Sequence, residues 1–200
     1  MSIHRRSLAC LVLAVGCFAV TPAWAQLSNF LVSPTTLVER AIEARSSSDI
    51  ARDNLIVGKV NAIMGELGTV KASTEIYEQR LLVTGLFSDK ATYDSFEKKV
   101  RAVGGVKKLY WHVACMTEAQ QKSAKLLDWA DVTVLATKAR ARLVGTAGVA
   151  DVNFRAVADA FGTVYLLGRA RSQEEATKAL ARARDGQGVR KLVNLVEVRP

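Results

Sequence analysis

The chain repeats itself at long range. Leu82-Val83-Thr84-Gly85 is followed twenty residues later by Gly105-Val106-Lys107-Lys108-Leu109, and Tyr165-Leu166-Leu167-Gly168 at the same interval by Gly188-Val189-Arg190-Lys191-Leu192. Gly85 and Gly168 stand 83 residues apart, as do Gly105 and Gly188. Solenoid repeats are about 20 to 50 residues long, so a period of this size marks two modules, each large enough for its own core.

The amino-terminal 25 residues read as an export signal. His4, Arg5 and Arg6 are cationic, residues 8 to 20 are apolar but short for a bilayer span, and Ala23-Trp24-Ala25 has the small-x-small pattern of a cleavage site. Two processing routes are open. Cleavage after Ala25 frees the protein, whereas Leu13-Ala14-Val15-Gly16-Cys17 has lipobox character and would put a lipid on Cys17. Both lead out of the cytoplasm, to a periplasmic protein that lipidation would attach to the outer membrane. Cys115 is the one cysteine after residue 25, so no intrachain disulfide is expected, and it reads as a small packed hydrophobe.

Charge is uneven. Losing Arg5 and Arg6 lowers the formal charge from +9 to +7, and of this residues 42–117 carry +2 and residues 118–200 carry +5. On an exported protein a basic excess points to anionic membrane surfaces or envelope polymers rather than to nucleic acid.

Residues 26–48 form a leader with a helix starting near Pro34. From residue 49 to 117 the order is helix, strand, strand, helix, strand: a helix opened by Asp49, a hairpin from Val70 to Thr84 turning at Glu78-Gln79-Arg80, a helix capped by Ser88 or Asp89, and a strand from Val106 to Cys115. Residues 118–127 form a polar linker. Residues 128–200 repeat the order, with Asp128 or Asp131 and then Ser172 as helix caps and Asp159-Ala160-Phe161-Gly162 as the turn. Because a helix separates each last strand from its hairpin, the strand must return by a crossover. The expected fold class is α+β: two small domains, each a three-stranded sheet with two helices on one face. Gly85 and Gly168 are expected at strand-to-helix corners, Gly105 and Gly188 at the reverse corners.

The aspartate near the start of each first helix (Asp53, Asp131), the hairpins ending in Leu82-Val83-Thr84-Gly85 and Tyr165-Leu166-Leu167-Gly168, and the closing Gly-Val-basic-basic-Leu segments together resemble the BON domain, the bacterial osmotic-stress and nodulation module. The likeness covers about residues 49–115 and 128–198. Both hairpin turns depart from the commoner Asn-Gly type. The resemblance implies an envelope protein in tandem-domain form, associated with stress tolerance and phospholipid, and it brings no catalytic residue.

The residues point the same way. His112 is the one histidine beyond the signal, no metal-ligand spacing occurs, and phosphate-loop, dinucleotide and nucleophile-elbow motifs are absent, so a non-enzymatic protein with no cofactor is expected. The candidate lipid-binding residues are Lys138 and Arg142 on the first helix of the second module, Lys178, Arg182 and Arg184 on its second helix, and Trp129 as an interfacial ring. The alternative is an assembly module that pairs with envelope proteins through exposed strand edges near Val193 to Val198.

Overall fold

The computed structural model describes residues 43–69 and 71–200, which lie within one compact unit, Glu39–Pro200. The signal, Cys17 and the helix expected near Pro34 fall outside the described residues.

The first helix, α1 (Ser47–Glu66), begins earlier than its sequence suggests, because Ser46 Oγ accepts the Asp49 N–H and serves as the cap in place of Asp49. The run Ser46-Ser47-Ser48 therefore starts this helix. Asp53, Ile56 and Val60 make its buried stripe. β1 (Ala72–Tyr77) and β2 (Arg80–Phe87) are antiparallel, and α2 (Lys90–Arg101), capped by Asp89, crosses over to β3 (Lys108–Cys115), which lies parallel to β2. The polar linker segment contains α3 (Glu118–Ser123), which Thr117 and Gln120 close with a reciprocal capping box.

The second module follows the same plan. α4 (Trp129–Leu143) is capped by Asp128, and a single 3-10 turn (Asp151–Asn153) leads into β4 (Phe154–Ala158). β5 (Thr163–Ala170) pairs antiparallel with β4, then α5 (Gln173–Arg184), capped by Ser172, crosses to the parallel β6 (Lys191–Val198). Each sheet is three-stranded with the middle strand of sequence order at its centre.

The glycine expectation holds at one pair of corners and fails at the other. Gly105 and Gly188, with φ of 94° and 92°, turn the chain from helix to strand in left-handed geometry. Gly85 and Gly168 are not corners but lie inside β2 and β5, opposite Ala72 and Phe154. What they supply is space: a Cβ on Gly168 would overlap the Asn153 carbonyl oxygen and sit 2.9 Å from Phe154 Cα.

Strand alternation then decides how the modules meet. In β2, Leu81, Val83 and Phe87 face the helices of their own module, where they pack with Ile56, Phe96 and Val100. In β5, Val164, Leu166 and Ala170 do the same against Leu135, Ala139 and Ala179. The opposite faces are also apolar, and Tyr77 and Leu82 pack with Val157, Tyr165 and Leu167 in a third core between the sheets. The result is four layers, helices, sheet, sheet, helices, in which each module covers the face of the other that helices leave bare.

Candidate functional site

The seam between the sheets absorbs much of the charge asymmetry seen in the sequence. Glu75 pairs with Arg140, Glu78 with both Arg169 and Arg199, and Arg80 with Glu197. Three basic residues of the second module are thus committed to acids of the first. Arg80, 4% exposed, also donates to the carbonyls of Leu195 (3.1 Å) and Gly168 (2.8 Å). Next to it, Tyr77 donates its hydroxyl to Glu43 (3.2 Å) and Asn153 (3.0 Å), and Arg45 bridges Glu43 and Asp53. Burial works against ionisation of Glu43, but hydrogen bonding and attraction to Arg45 prevail and hold its carboxyl below the ordinary value. The two modules are therefore locked, and α4 is held at a defined position on the outside of a rigid body.

On α4 the buried stripe is Val132, Leu135, Ala139 and Leu143. The outward stripe is Ala130, Val134, Thr137, Lys138 and Ala141, all exposed and spaced as one helix face, with exposed Asp131 beside Lys138 on one flank and exposed Thr133 and Arg140 on the other. The middle of this face is made of small aliphatic and hydroxyl side chains, and its nearest charges, Lys138 and Asp131, lie along one edge. Val134 is 47% exposed and Val144, just past the helix end, 64%. The sequence reading missed both valines, although the four-residue spacing of Val134 from Ala130 and Lys138 was legible.

The named cations gather in part. Lys178 and Arg182 line an open cleft of about 530 Å³ with Thr146, Ala147, Ala181 and Asp185. Arg142 reaches toward it from α4, donating from Nε to the Arg182 carbonyl at 3.1 Å, while its buried Nη2 has no hydrogen-bond partner among the described residues. Lys178 is shared with Glu174 at 2.7 Å. Lys138 is exposed on the outward stripe, one turn from Arg142. Arg184 is exposed two positions beyond Arg182, which turns it to a different side of α5. Trp129 stands at the other end of α4, about 20 Å from Arg142. It is half-buried against the second core and borders a separate hollow with Leu86, Leu126, Leu127 and Lys122. The six residues thus form a cationic end (Arg142, Lys178, Arg182), a mid-helix Lys138, an outlying Arg184 and a distant aromatic end.

His112 lies between the sheets, its ring 4.5 Å from that of Tyr165. Burial pushes its imidazole below the ordinary value, and Lys191 adds to the effect while Asp159 opposes it. Cys115 is half-buried in the first core. Among the described residues no group of three histidine, cysteine or acidic side chains is placed to hold a metal ion, and no helix is long and apolar enough to cross a membrane.

Comparison with known proteins is informative at this point. Residues 131–200 match the BON domain. The BON segment thus takes in nearly all of α4, together with β4, β5, α5 and β6. Over 156 residues, the chain is 26% identical to an Anaplasma centrale protein described as an uncharacterized protein in the gshII 5' region, covering 74% of this chain and 95% of that one. Two solved structures of CdsD, a structural protein of the type III secretion system of Chlamydia trachomatis, align with 72% of this chain. They cover 92% and 97% of their own chains at 11% and 12% identity, with a TM-score of 0.29 in each case, too low to carry a claim of shared architecture. The match to BON does not extend over the first module, whose likeness to it rests on the repeated residues and the common order of elements.

Proposed function

We propose that this is a non-enzymatic exported protein of the bacterial envelope whose second module rests on anionic phospholipid through α4. The observation that carries the reading is the outward stripe of α4, in which Ala130, Val134, Thr137 and Ala141 lie beside Lys138 and lead to Val144 and the cations Arg142, Lys178 and Arg182. Aliphatic side chains flanked by basic ones suit a helix lying at a headgroup boundary. The BON match over residues 131–200 supports the same assignment by resemblance.

Each cation near an anionic surface contributes about 1 kcal/mol. With partial burial of two valines the total is on the order of 5 kcal/mol, which corresponds to weak, reversible attachment. A lipid on Cys17 would supply the second signal that stable anchoring requires. In this reading the protein works in the periplasm, at the outer membrane, supporting envelope integrity under osmotic stress.

Co-sedimentation of the exported chain with vesicles tests the proposal. Binding is expected to vesicles containing phosphatidylglycerol at low salt, to weaken as salt rises, and to be absent from phosphatidylcholine alone. Equal failure with both vesicles at low salt would reject it. Edge-strand assembly is less favoured, since Val193 and Leu195 of β6 pack between the sheets and the Asn194 side chain already accepts the Val196 N–H at 2.9 Å.

A further inference from the structure

Arg155, on β4, is a half-buried cation in an unusual position. Its Nη1 donates to the carbonyls of Val152 (2.8 Å) and Phe154 (2.9 Å), and its guanidinium carbon lies 5.8 Å from the centre of the Tyr77 ring. Among the described residues no carboxylate forms an ion pair with it, although every other arginine at the seam has one. Carbonyl dipoles and a ring face offset only part of the cost of withdrawing a guanidinium from water. Burial first and then the nearby charge of Arg45 disfavour its charged form, Glu75 and Glu43 favour it from a distance, and an arginine stays protonated in a protein.

The remaining donors border an open cleft of about 360 Å³, walled by Leu143, Val144 and Phe154 and rimmed by Arg140, Glu75 and Asp151. Arg140 already neutralises Glu75, whose carboxyl is raised by burial against that attraction. The volume falls in the lower range of small-ligand sites, and the lining is mixed, with the charged side chains Glu75, Arg140, Asp151 and Arg155 facing the apolar Leu143, Val144, Val152 and Phe154.

We propose that this cleft binds a small oxyanion, a carboxylate or phosphate group, gripped by the free side of the Arg155 guanidinium, whose planar fork matches two oxygens of such a group. Arg140, held by Glu75, closes one side of the cleft, and the aliphatic wall accommodates a short hydrocarbon portion. The site shares Val144 with the membrane-facing surface and differs from it in its other residues and in ligand size.

An amide NMR titration of the exported protein with sodium phosphate, sodium butyrate and sodium chloride at matched ionic strength tests this. Saturable shifts at Val152, Phe154 and Arg155 are expected with phosphate, butyrate or both, and the more effective salt identifies the group. Chloride should give no saturation. Arg155→Met should weaken binding at least tenfold, and Arg155→Lys, which keeps the charge and loses the fork, should weaken it less. Shifts that follow ionic strength alike for all three salts overturn the proposal, as does saturable binding unchanged in both variants. Should neither variant fold, the wild-type shift map decides: saturation confined to residues 151–155 upholds the site, and saturation elsewhere overturns it.

Discussion

Arg80, at the start of β2, donates to the carbonyl of Gly168 in β5 at 2.8 Å, so the central strand of one sheet is fastened to the central strand of the other. The same side chain takes the Leu195 carbonyl and pairs with Glu197. Replacing Arg80 with Met leaves two buried carbonyls without this donor. Each costs about 1 to 3 kcal/mol, so a loss of about 3 kcal/mol is expected in urea unfolding. A single cooperative transition is expected for the wild type, because the sheets share a core. Two separate transitions in the wild type would show the modules to be independent.

Asp53 governs the first hairpin. Its carboxylate accepts the backbone N–H groups of Glu78 (2.9 Å) and Gln79 (2.7 Å), the Gln79 amide (2.8 Å) and Arg45. Glu78 and Gln79 both have left-handed backbones, with φ of 53° and 63°, which non-glycine residues adopt at a cost. Asp53→Ala removes the acceptor and strands Arg45 beside Glu43 alone. A destabilisation of about 3 to 5 kcal/mol is expected by denaturant titration, and one below about 1 kcal/mol would show that the turn holds itself.

This hairpin shows what was legible and what was not. The strands and the place of the turn, at Glu78-Gln79, were readable, but what holds the turn was not, because its support comes from a residue on α1 far back in the sequence. In the second module Asp159 supplies the carboxylate from within the turn, accepting the Phe161 and Thr163 N–H groups, and there the turn was readable. The same contrast applies to Asp131, which resembles Asp53 in position and is exposed. Sheet-on-sheet packing had a visible signal in Leu81-Leu82-Val83 and Tyr165-Leu166-Leu167, which are apolar on both strand faces and so require cover on both sides. The charge excess of the second module was legible as a sum only. Its division between the seam (Arg140, Arg169, Arg199) and the outer surface (Lys138, Lys178, Arg182) depends on which acids the first module brings opposite, and that is a tertiary fact.

Glycine substitutions should separate space from helix propensity. Gly58 lies inside α1 with open space where a Cβ would go, so Gly58→Ala should stabilise by about 0.5 to 1 kcal/mol. Gly168→Ala would press a methyl group against the Asn153 carbonyl and Phe154 Cα, and a loss of more than about 3 kcal/mol is expected. Gly85→Ala should be milder, since a Cβ there would stand 3.0 Å from the Lys71 carbonyl oxygen and 3.1 Å from Ala72 Cβ. Thermal unfolding of the three variants checks the order.

Stability should fall in mild acid because of His112. Its folded-state pKa lies below the unfolded value, chiefly through burial, so the stability it contributes is present above about pH 6.5 and is lost as pH falls through the folded pKa. For one such group the slope cannot exceed about 1.4 kcal/mol per pH unit. His112→Phe should flatten unfolding stability in the window just below pH 6.5. A second decline, near and below pH 4.5, should persist in that variant, because Glu43 has a folded-state pKa lowered by Arg45 and loses its contribution as it protonates. An unchanged profile in the phenylalanine variant would remove His112 from the account.

Val134 offers the sharpest test of the outward stripe, because its role in folding is small and its role at a membrane is large. Nearly half of the side chain faces water and it belongs to none of the three buried cores, so Val134→Asp should change unfolding stability by less than about 1 kcal/mol. At a headgroup boundary the same change removes an apolar contact and adds a charge that anionic lipid repels. Binding to vesicles containing phosphatidylglycerol should fall at least tenfold, and Lys138→Glu, on the same face, should act in the same direction and leave a shallower salt dependence. Glu substitution at exposed Lys98, on α2 of the first module, changes net charge by the same amount as Lys138→Glu and should leave binding nearly intact. If the three variants weaken binding equally, overall charge and not the α4 surface governs attachment; if Val134→Asp has no effect, the membrane lies against another face.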